Sequence, residues 1–217
     1  MSTTVTNFTG VDFNEAFAED ASLLSALNEL IRSWKAGEIK MRTDPTFFRP
    51  DNREHLLSAI ELKRLKLTRG DVGQCDVARV NNIEVPSAIS KVVVERLEVY
   101  FTDHKVSAFS GSMWYRPGGF MSWHTNSGGR GRRMYMTYVD EGGRSGFRYE
   151  DLTTGEVKTS LDVPGWQFRI FNIGAVKFWH CVTSDVDRIS LGVRILTPEE
   201  AVKRALSPSL VQTNQIK

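Results

Sequence analysis

The sequence predicts a mainly β domain of the jelly-roll or sandwich type, preceded by helices. Up to about Tyr100 the apolar residues recur at helical spacing. After Asp103 the chain changes to short segments rich in aromatic and β-branched residues, separated by glycines. Seven or more short strands with tight connections favour a jelly roll over a parallel sheet that alternates with helices.

Three amphipathic helices are predicted in the N-terminal region. The first spans Asp20 to Lys35, the second follows Pro50, and the third runs from Ser87 to Tyr100. Their apolar faces need a partner, so we expect them either to cover the β domain or to form a dimer surface.

The predicted strands all lie in the second half of the chain. They are Val106 to Arg116, Met134 to Val139, Gly146 to Tyr149, Glu156 to Leu161, Gln167 to Asn172, Ala175 to Val182 and Arg188 to Leu196. The predicted organisation is therefore a helical region at 1–103, a β core at 104–197, and a tail at 198–217 that adds a short helix.

Composition and charge exclude several classes of protein. The chain has 217 residues, of which 41% are hydrophobic and 25% charged, as in an ordinary globular enzyme or binding domain. The first ten residues are polar, and no apolar run is long enough to cross a membrane, so we expect a cytoplasmic protein without a membrane partner. The two cysteines cannot form a disulfide framework.

The net charge of +2 gives no global field for nucleic acid, but arginines cluster in one glycine-rich stretch. This arginine-rich loop, residues 126–133, contains Arg130, Arg132 and Arg133. Its glycines let backbone amides turn toward an anion, so phosphate or nucleic acid contact is one interpretation. A solvated turn between strands is the commoner one.

Two of the four histidines lie in a setting that suggests metal binding. His124 follows a predicted strand, and His180 lies inside another one, among apolar neighbours. Imidazole is a preferred ligand of iron and other first-row metals, and two ligands from distant strands suit the interior of a β barrel. We therefore predict a mononuclear metal between these histidines.

The same region carries a family resemblance. The residues concerned are Tyr115-Arg-Pro-Gly-Gly-Phe-Met-Ser-Trp-His-Thr-Asn126, Gly142-Gly143, His180 and Arg188-Ile-Ser190. This pattern resembles the iron(II)- and 2-oxoglutarate-dependent oxygenases, nearest to their prolyl-hydroxylase-like branch, and covers roughly residues 113–196. The resemblance implies a double-stranded β-helix, the cupin-like form of the jelly roll. It also implies Fe(II) as cofactor, with 2-oxoglutarate and oxygen as co-substrates.

Site residues follow from the resemblance position by position. His124 and His180 match the two histidine ligands of the iron. Arg188 matches the basic residue that pairs with the distal carboxylate of 2-oxoglutarate, with Ser190 as an added hydroxyl donor. Tyr115 matches a tyrosine that binds the same carboxylate, although a core aromatic is an equally good interpretation of that residue.

The chain departs from the family at the third metal ligand. Where the family has aspartate or glutamate, this sequence has Asn126, a neutral and poorer donor. Three interpretations stay open. Asn126 coordinates through its amide oxygen, or water or another carboxylate such as Asp140 or Glu141 completes the site, or the site no longer supports oxygen chemistry.

Further candidates are assigned by position alone. Arg130 and Trp123 lie near His124 in sequence, and Arg148 could extend the basic rim of the arginine-rich loop, so these three are candidate substrate contacts. Arg194 shares a strand face with Arg188 and is a second candidate for the co-substrate carboxylate. Trp114, Trp123, Phe178 and Trp179 are predicted to form a dry wall around the metal.

Two functions are consistent with these residues. The first is a dioxygenase that hydroxylates an unidentified substrate. The second is a catalytically retired jelly-roll binding module that uses the arginine-rich loop as its contact surface. Asn126 favours the second function, whereas the carboxylate receptor at Arg188 favours the first.

Overall fold

The computed structural model describes residues 12–13, 15–41, 52–68, 75–125, 131–173 and 177–206. Its elements in chain order are β1 (Asp12–Phe13), α1 (Glu15–Ala18), α2 (Ala21–Lys35), α3 (Arg53–Leu56), α4 (Ala59–Thr68), β2 (Val77–Asn82), α5 (Ser87–Tyr100), β3 (Lys105–Val106), β4 (Gly111–His124), β5 (Gly131–Val139), β6 (Ser145–Glu150), β7 (Val157–Leu161), β8 (Gly165–Ile173), β9 (His180–Ser184), β10 (Arg188–Leu196) and α6 (Pro198–Leu206). None of the described helices is long and apolar enough to cross a membrane.

The strands form one antiparallel sheet that is bent into a half-barrel. Its order is β1-β8-β5-β10-β4-β9-β6-β7, with β2 added to β4 and β3 to β10. β4 joins the two halves, since its first part pairs with β10 and its last part with β9. Strand β4 therefore contributes side chains to both ends of the concave face.

The outer face of the larger half is covered by α2 and α5. Alternate residues of β5 and β10, such as Met134 and Leu191, pack there against Leu27 and Val93 of the two helices. These two helices therefore cover the β domain, which is one of the two roles expected from their amphipathic patterns. Removing such side chains from water is the main source of stability at this contact.

Helix α2 begins where its sequence predicts. Asp20 is the N-cap, and its carboxylate accepts hydrogen bonds from the backbone N–H groups of Ser22 and Leu23 at 3.1 and 2.9 Å. The same carboxylate accepts from Arg96 and Tyr100 of α5. The cap therefore also fixes α2 against α5.

The smaller half of the sheet is covered by α4. Leu62 and Leu65 of this helix pack on Trp123, Trp179 and Cys181, which lie on the outer face of β4 and β9 or just before β9. The predicted second helix is two helices, α3 and α4, with a turn at Leu57–Ser58 between them. Cys181 faces away from His180, as strand alternation predicts.

The N-terminal region is not purely helical, which corrects the predicted organisation. β1 pairs with β8, and β2 pairs with β4 over most of its length. A boundary at residue 103 would therefore cut through the sheet. β2 escaped prediction because its sequence, VARVNN, carries no strict polar and apolar alternation.

The pairing register of strands β2 and β4 shifts at one point. Val80 lies opposite Tyr115, and Ala78 lies opposite Phe120. Two steps along β2 therefore correspond to five along β4. The additional residues of β4, at 116–119, form an irregular bulge, which we call the β4 bulge.

Glycine makes the β4 bulge possible. Gly118 has a φ of +81°, a backbone conformation that residues other than glycine rarely adopt. A Cβ atom on Gly119 would lie 2.7 Å from the carbonyl oxygen of Arg116 and 2.9 Å from that of Arg79. Arg79 itself adopts a φ of 55° opposite the bulge. The close backbone approach at this corner therefore requires glycine.

Candidate metal centre and its cavity

The two predicted metal ligands lie side by side. His124 ends β4 and His180 begins β9, and the two residues are direct partners in the antiparallel register. Their ring centroids are 4.1 Å apart, and both residues are buried. Cross-strand partners share a face of the sheet, so both rings point into the concave side.

The hydrogen bonds of the two rings fix their tautomers. Nδ1 of His124 lies 2.8 Å from the carbonyl oxygen of Ser122, and Nδ1 of His180 lies 3.1 Å from that of Phe178. A carbonyl oxygen can only accept, so Nδ1 carries the proton in each ring. In a neutral imidazole this leaves the lone pair on Nε2, the arrangement that backbone-anchored metal ligands use.

Both histidines are held neutral. Burial lowers the pKa of His124, and it lowers that of His180 further below its usual value, with the adjacent His124 acting in the same direction. The positive charge of Arg133 also lowers both pKa values. Neutral imidazole is the form that binds a metal.

An aromatic shell surrounds His180. The rings of Phe147, Phe178 and Phe171 lie 5.2, 5.5 and 5.8 Å from its ring, centroid to centroid. Of the four aromatics predicted to form a dry wall, Phe178 is the one that borders a histidine in this way. Phe147 and Phe171 come instead from β6 and β8.

A cavity of about 110 Å³ opens from the histidines into the concave side. Its walls combine histidine, arginine, aromatic and small residues. They are Ser110, Gly111, Met113, Tyr115, Met121, His124, Arg133, Tyr135, Thr137, Phe147, Arg169, His180, Val182, Arg188 and Ser190. The fold thus brings five of the predicted site residues, His124, His180, Arg188, Ser190 and Tyr115, to one cavity.

Arg188 is held by a buried carboxylate that the sequence analysis did not identify. Its Nε donates a hydrogen bond to Asp162 Oδ2 at 2.9 Å, and its Nη2 donates to Thr137 at 3.3 Å. Asp162 Oδ1 also pairs with Arg169 Nη2 at 2.7 Å, and Ser145 donates to Oδ2. The side chain of Asp162 is 0% exposed.

One nitrogen of Arg188 has no such partner. Its Nη1 is buried and makes no hydrogen bond within the described residues, although the side chain is only 2% exposed. An unpaired donor of this kind costs free energy unless a ligand satisfies it. The guanidinium also lies over the ring of Tyr115, 5.1 Å from its centroid. Arg188 also lines the cavity, so its guanidinium is a group that a carboxylate bound there could contact.

The hydroxyl of Tyr115 contacts sulfur. It lies 2.9 Å from the sulfur of Met121 and 3.7 Å from that of Met113, and burial raises its pKa above the usual value. The phenol therefore stays protonated. It is available as a donor to a stronger acceptor, because a thioether sulfur accepts weakly.

A third cavity arginine lies near the histidines. Arg133 is 9% exposed and comes from β5, opposite Phe171 of β8. Sequence analysis placed it in the arginine-rich loop, and the structure places it in the strand that follows. No ion-pair or hydrogen-bond partner of Arg133 occurs within the described residues.

The third metal ligand is not supplied by the described residues. They contain no cluster of three His, Cys, Asp or Glu side chains suited to a metal. Asp140 accepts hydrogen bonds from Lys35 and Tyr138, and Glu141 pairs with Arg144 at the surface, so neither replaces the missing carboxylate. Asn126 lies outside the described residues.

Two predicted substrate contacts lie on the wrong face. Trp123 is fully buried under α4, where its indole N–H donates to the carbonyl of Ser58 at 2.9 Å. Arg148 donates to the carbonyl of Leu57 and lies over the Trp123 ring. Strand alternation sends both away from the cavity, because each is offset by one residue from a side chain that faces it.

Two further candidates remain. Arg130 lies outside the described residues, and Arg194, the second candidate for the co-substrate carboxylate, is not among the residues that line the cavity. Three residues of the site were missed: Arg169 and Phe147, which line the cavity, and Asp162, which holds Arg188. Arg169 carried a signal, because a charged residue in the middle of the apolar run WQFRIF shares a face with Gln167 and Phe171.

The structure resembles solved oxygenases at low sequence identity. No family model and no curated protein sequence matches the chain. A prolyl hydroxylase from Trichoplax adhaerens, solved with a hypoxia inducible factor oxygen degradation domain peptide, superposes with a TM-score of 0.53. The two are 10% identical, over 93% of this chain and 88% of that one.

The fold is the double-stranded β-helix. It is the mainly antiparallel half-barrel with N-terminal helices that the sequence predicts, as in solved oxygenases. A prolyl-4-hydroxylase from Pseudomonas putida is 15% identical over 87% of this chain and 92% of its own, with a TM-score of 0.44. An oxidoreductase of the 2OG-Fe(II) oxygenase family from Burkholderia pseudomallei is 9% identical over 79% and 89%, with a TM-score of 0.39.

Proposed function

We propose that this chain is an iron(II)- and 2-oxoglutarate-dependent dioxygenase that hydroxylates a substrate. His124, His180 and Asn126 would hold the iron, and Arg188, Ser190 and Tyr115 would hold 2-oxoglutarate. The observation that carries the proposal is that Arg188, a buried guanidinium whose Nη1 is unpaired in the described residues, lines the cavity that the two histidines border. A guanidinium is suited to a carboxylate, to which it can donate charge-assisted hydrogen bonds.

The donor set fits the cofactor in part. Two neutral imidazoles with Nδ1 anchored to backbone carbonyls suit iron(II), and two histidines are the nitrogen ligands of its facial triad. When bound, the metal and the 2-oxo acid would supply the activation of oxygen. The neutral residue at position 126 predicts weaker metal binding than a carboxylate would give.

The chain's own residues would have three tasks. His124 and His180 fix the metal on the concave face. Arg188, aligned by Asp162, orients the co-substrate by its distal carboxylate. The rings around His180, with Phe147 closest, keep water from the reacting groups.

The first test is anaerobic titration of the protein with iron(II) and 2-oxoglutarate, monitored by the weak visible charge-transfer band of a chelated 2-oxo acid. We expect a saturable band in the wild type and none in His180→Ala. His104→Ala is the matched control, because it removes a partly exposed imidazole outside the cavity and should leave the band unchanged. Absence of the band in the wild type would reject the proposal.

A second function has one observation in its favour. The described residues supply no carboxylate ligand, so a retired binding module with the arginine-rich loop as its contact surface, for nucleic acid or another anion, remains the alternative. The same titration separates the two, since the retired module would bind neither iron nor the chelated co-substrate.

A further inference from the structure

Arg133 is a buried cation of the cavity that the proposed function leaves unused. The residue is 9% exposed and lines the cavity, and it has no hydrogen-bond or ion-pair partner within the described residues. Buried charges in proteins are normally paired. None of the described residues that line the cavity is an aspartate or a glutamate. A bound anion would supply the missing counter-charge.

Arg133 lies on the wall next to the histidines. Its direct partner in the register is Phe171 of β8, whose ring is 5.8 Å from that of His180, centroid to centroid. Tyr135, two residues along β5 on the same face, stacks on Phe171 at 5.1 Å. Arg133 therefore borders the end of the cavity where the metal of the proposed function would bind.

The register of β5 separates Arg133 from Arg188. Arg188 lies opposite Val139, six residues after Arg133 on the same strand. At about 3.4 Å for each residue, the two backbone positions are about 20 Å apart along the strand. Arg188 contacts Asp162 and Tyr115 at its own end. A co-substrate held at Arg188 therefore need not reach Arg133, which remains for a different ligand.

A second guanidinium lies beside Arg133. Arg194 of β10 is its direct cross-strand partner and is half-buried. Cross-strand partners project from the same face of a sheet, here the concave one, because the adjacent Met134 and Val193 belong to the helix-covered core on the other face. Like charges at directly opposed positions destabilise a sheet. An anion near both groups would relieve this repulsion.

We propose that Arg133 selects the substrate of this protein, and that the substrate is a small molecule with an acidic group, either a carboxylate or a phosphate. The inference rests on the proposed function and names the substrate class for it. A guanidinium donates parallel, charge-assisted hydrogen bonds to such a group. A molecule anchored by its acid at Arg133 has its neighbouring carbon held beside the histidines, which is the positioning that a reaction there requires.

The cavity also discriminates against other substrates. Its volume of about 110 Å³ suits a small molecule. A cationic substrate would meet the charge of Arg133 with no acidic residue among the described cavity residues to receive it. A neutral substrate would bury Arg133 further without pairing it. Both are therefore disfavoured relative to an acid.

The test is calorimetric titration of the full-length protein, saturated anaerobically with iron(II) and 2-oxoglutarate, with propionate, methyl phosphate and propionamide as probes. We expect at least one of the two anions to bind, and the neutral amide to bind at least about tenfold more weakly. The tighter of the two anions identifies the acidic group. Arg133→Gln should weaken its binding by about tenfold to hundredfold.

A second titration needs no metal. Chelator-treated Arg188→Gln has lost the proposed co-substrate anchor, so a probe anion that still binds in the cavity does so at another cation. Adding Arg133→Gln to this variant should weaken that binding by about tenfold or more. The control is the addition of Arg32→Gln, which removes the same charge from an exposed position on α2 and should change nothing.

A variant that keeps the charge covers a failure to fold. If Arg133→Gln is poorly folded, as judged by its circular dichroism, Arg133→Lys takes its place in both titrations. Lysine retains the positive charge but not the two-pronged donor, so we expect a loss of anion affinity between that of the wild type and that of the glutamine variant.

Four results would overturn the inference. They are no binding of either anion, an anion affinity that does not depend on Arg133, a loss in Arg132→Gln equal to that in Arg133→Gln, and a loss of 2-oxoglutarate affinity in Arg133→Gln equal to that in Arg188→Gln. The third assigns the anion to the arginine-rich loop, and the fourth assigns Arg133 to the co-substrate.

Failure of this inference is distinct from failure of the dioxygenase proposal. If the chelate band forms but anion binding is independent of Arg133, the dioxygenase proposal stands and the substrate class is wrong. If the band is absent but the metal-free titration depends on Arg133, the dioxygenase proposal fails while Arg133 remains an anion-binding residue.

Discussion

Asp162 lies between two arginines at the back of the cavity, 2.9 Å from Nε of Arg188 and 2.7 Å from Nη2 of Arg169. All three side chains are almost completely buried. Asp162 is not itself among the residues that line the cavity, so its effect there is exerted through the two arginines with which it pairs. It leaves Nη1 of Arg188 without a hydrogen-bond partner in the described residues.

Neutralising this carboxylate should destabilise the fold. In Asp162→Asn two buried guanidinium groups lose their common counter-charge, and breaking a buried pair in this way costs about 3–5 kcal/mol. We expect a corresponding fall in the free energy of unfolding, measured with urea at neutral pH. Asp151→Asn is the control, because Asp151 forms a surface ion pair with Lys158 and should matter far less. Equal losses in the two variants would contradict this account.

Stability should also depend on pH through the same residue. Burial alone would raise the pKa of Asp162, but the charges of Arg188 and Arg169 outweigh it and lower the pKa to about 2 from 3.8. Because the folded value lies below the unfolded one, the stabilisation is complete above pH 3.8 and is lost as the pH falls toward 2. Unfolding curves of wild type and Asp162→Asn should therefore converge over this interval. A constant difference between them would argue against the ion pair.

Arg188→Ala should weaken 2-oxoglutarate much more than iron. Loss of a charge-assisted contact to the distal carboxylate corresponds to about 1.5–3 kcal/mol, or about tenfold to hundredfold in affinity. The histidines remain in place, so metal binding should change little. Anaerobic titrations of each ligand separately test this, with circular dichroism as the check on folding. Equal losses for metal and co-substrate would point to a folding defect.

Asn126→Asp should tighten iron binding, on the sequence-based prediction that residue 126 is the third ligand. A carboxylate is a charged and stronger donor than an amide, and we expect a gain of at least about tenfold in affinity. Equilibrium competition with a chelator measures it. An unchanged affinity would remove Asn126 from the metal site.

Gly192→Ala should disturb the cavity wall. A Cβ atom there would lie 2.8 Å from the ring of Tyr135, which stacks on Phe171. Overpacking of this kind costs about 1–3 kcal/mol. Gly111→Ala is the matched control, because Gly111 lies directly opposite in the register and its Cβ would meet only Met113, at 3.9 Å. Thermal unfolding should show a clear loss for the first variant and little change for the second.

The sequence predicted the β architecture, and it predicted that His124 and His180 lie together inside the β domain. Both predictions could be made from local sequence patterns. The range of β10 was predicted without error, since RISLGVRIL is buried over most of its length and begins after a turn. His180 was expected inside a strand and instead opens one, as the residues just before it are not in β structure. Strand ends depend on pairing partners that a local pattern does not contain.

The rest of the site depends on register, which the sequence does not display. Asp162 lies in a short connection between β7 and β8, and nothing nearby in the chain indicates that it pairs with Arg188, 26 residues later. Trp123 and Arg148 were assigned to the site because each is close in sequence to a candidate site residue. Adjacent residues on a strand face opposite sides of the sheet, so closeness in sequence did not place them in the cavity.

The β4 bulge lies between two of the cavity's residues. Tyr115 and His124 belong to the same strand, but the segment between them is longer than the part of β2 that it faces, since five steps from Tyr115 to Phe120 match two along β2. Bulges bend a strand and re-aim its side chains, and they tend to be kept within families. A deletion in this segment would shift the register of His124 relative to Tyr115 and turn one of the two side chains away from the cavity that both now line. The spacing between the tyrosine and the first histidine, including Gly118 and Gly119, is therefore part of the pattern that specifies the cavity.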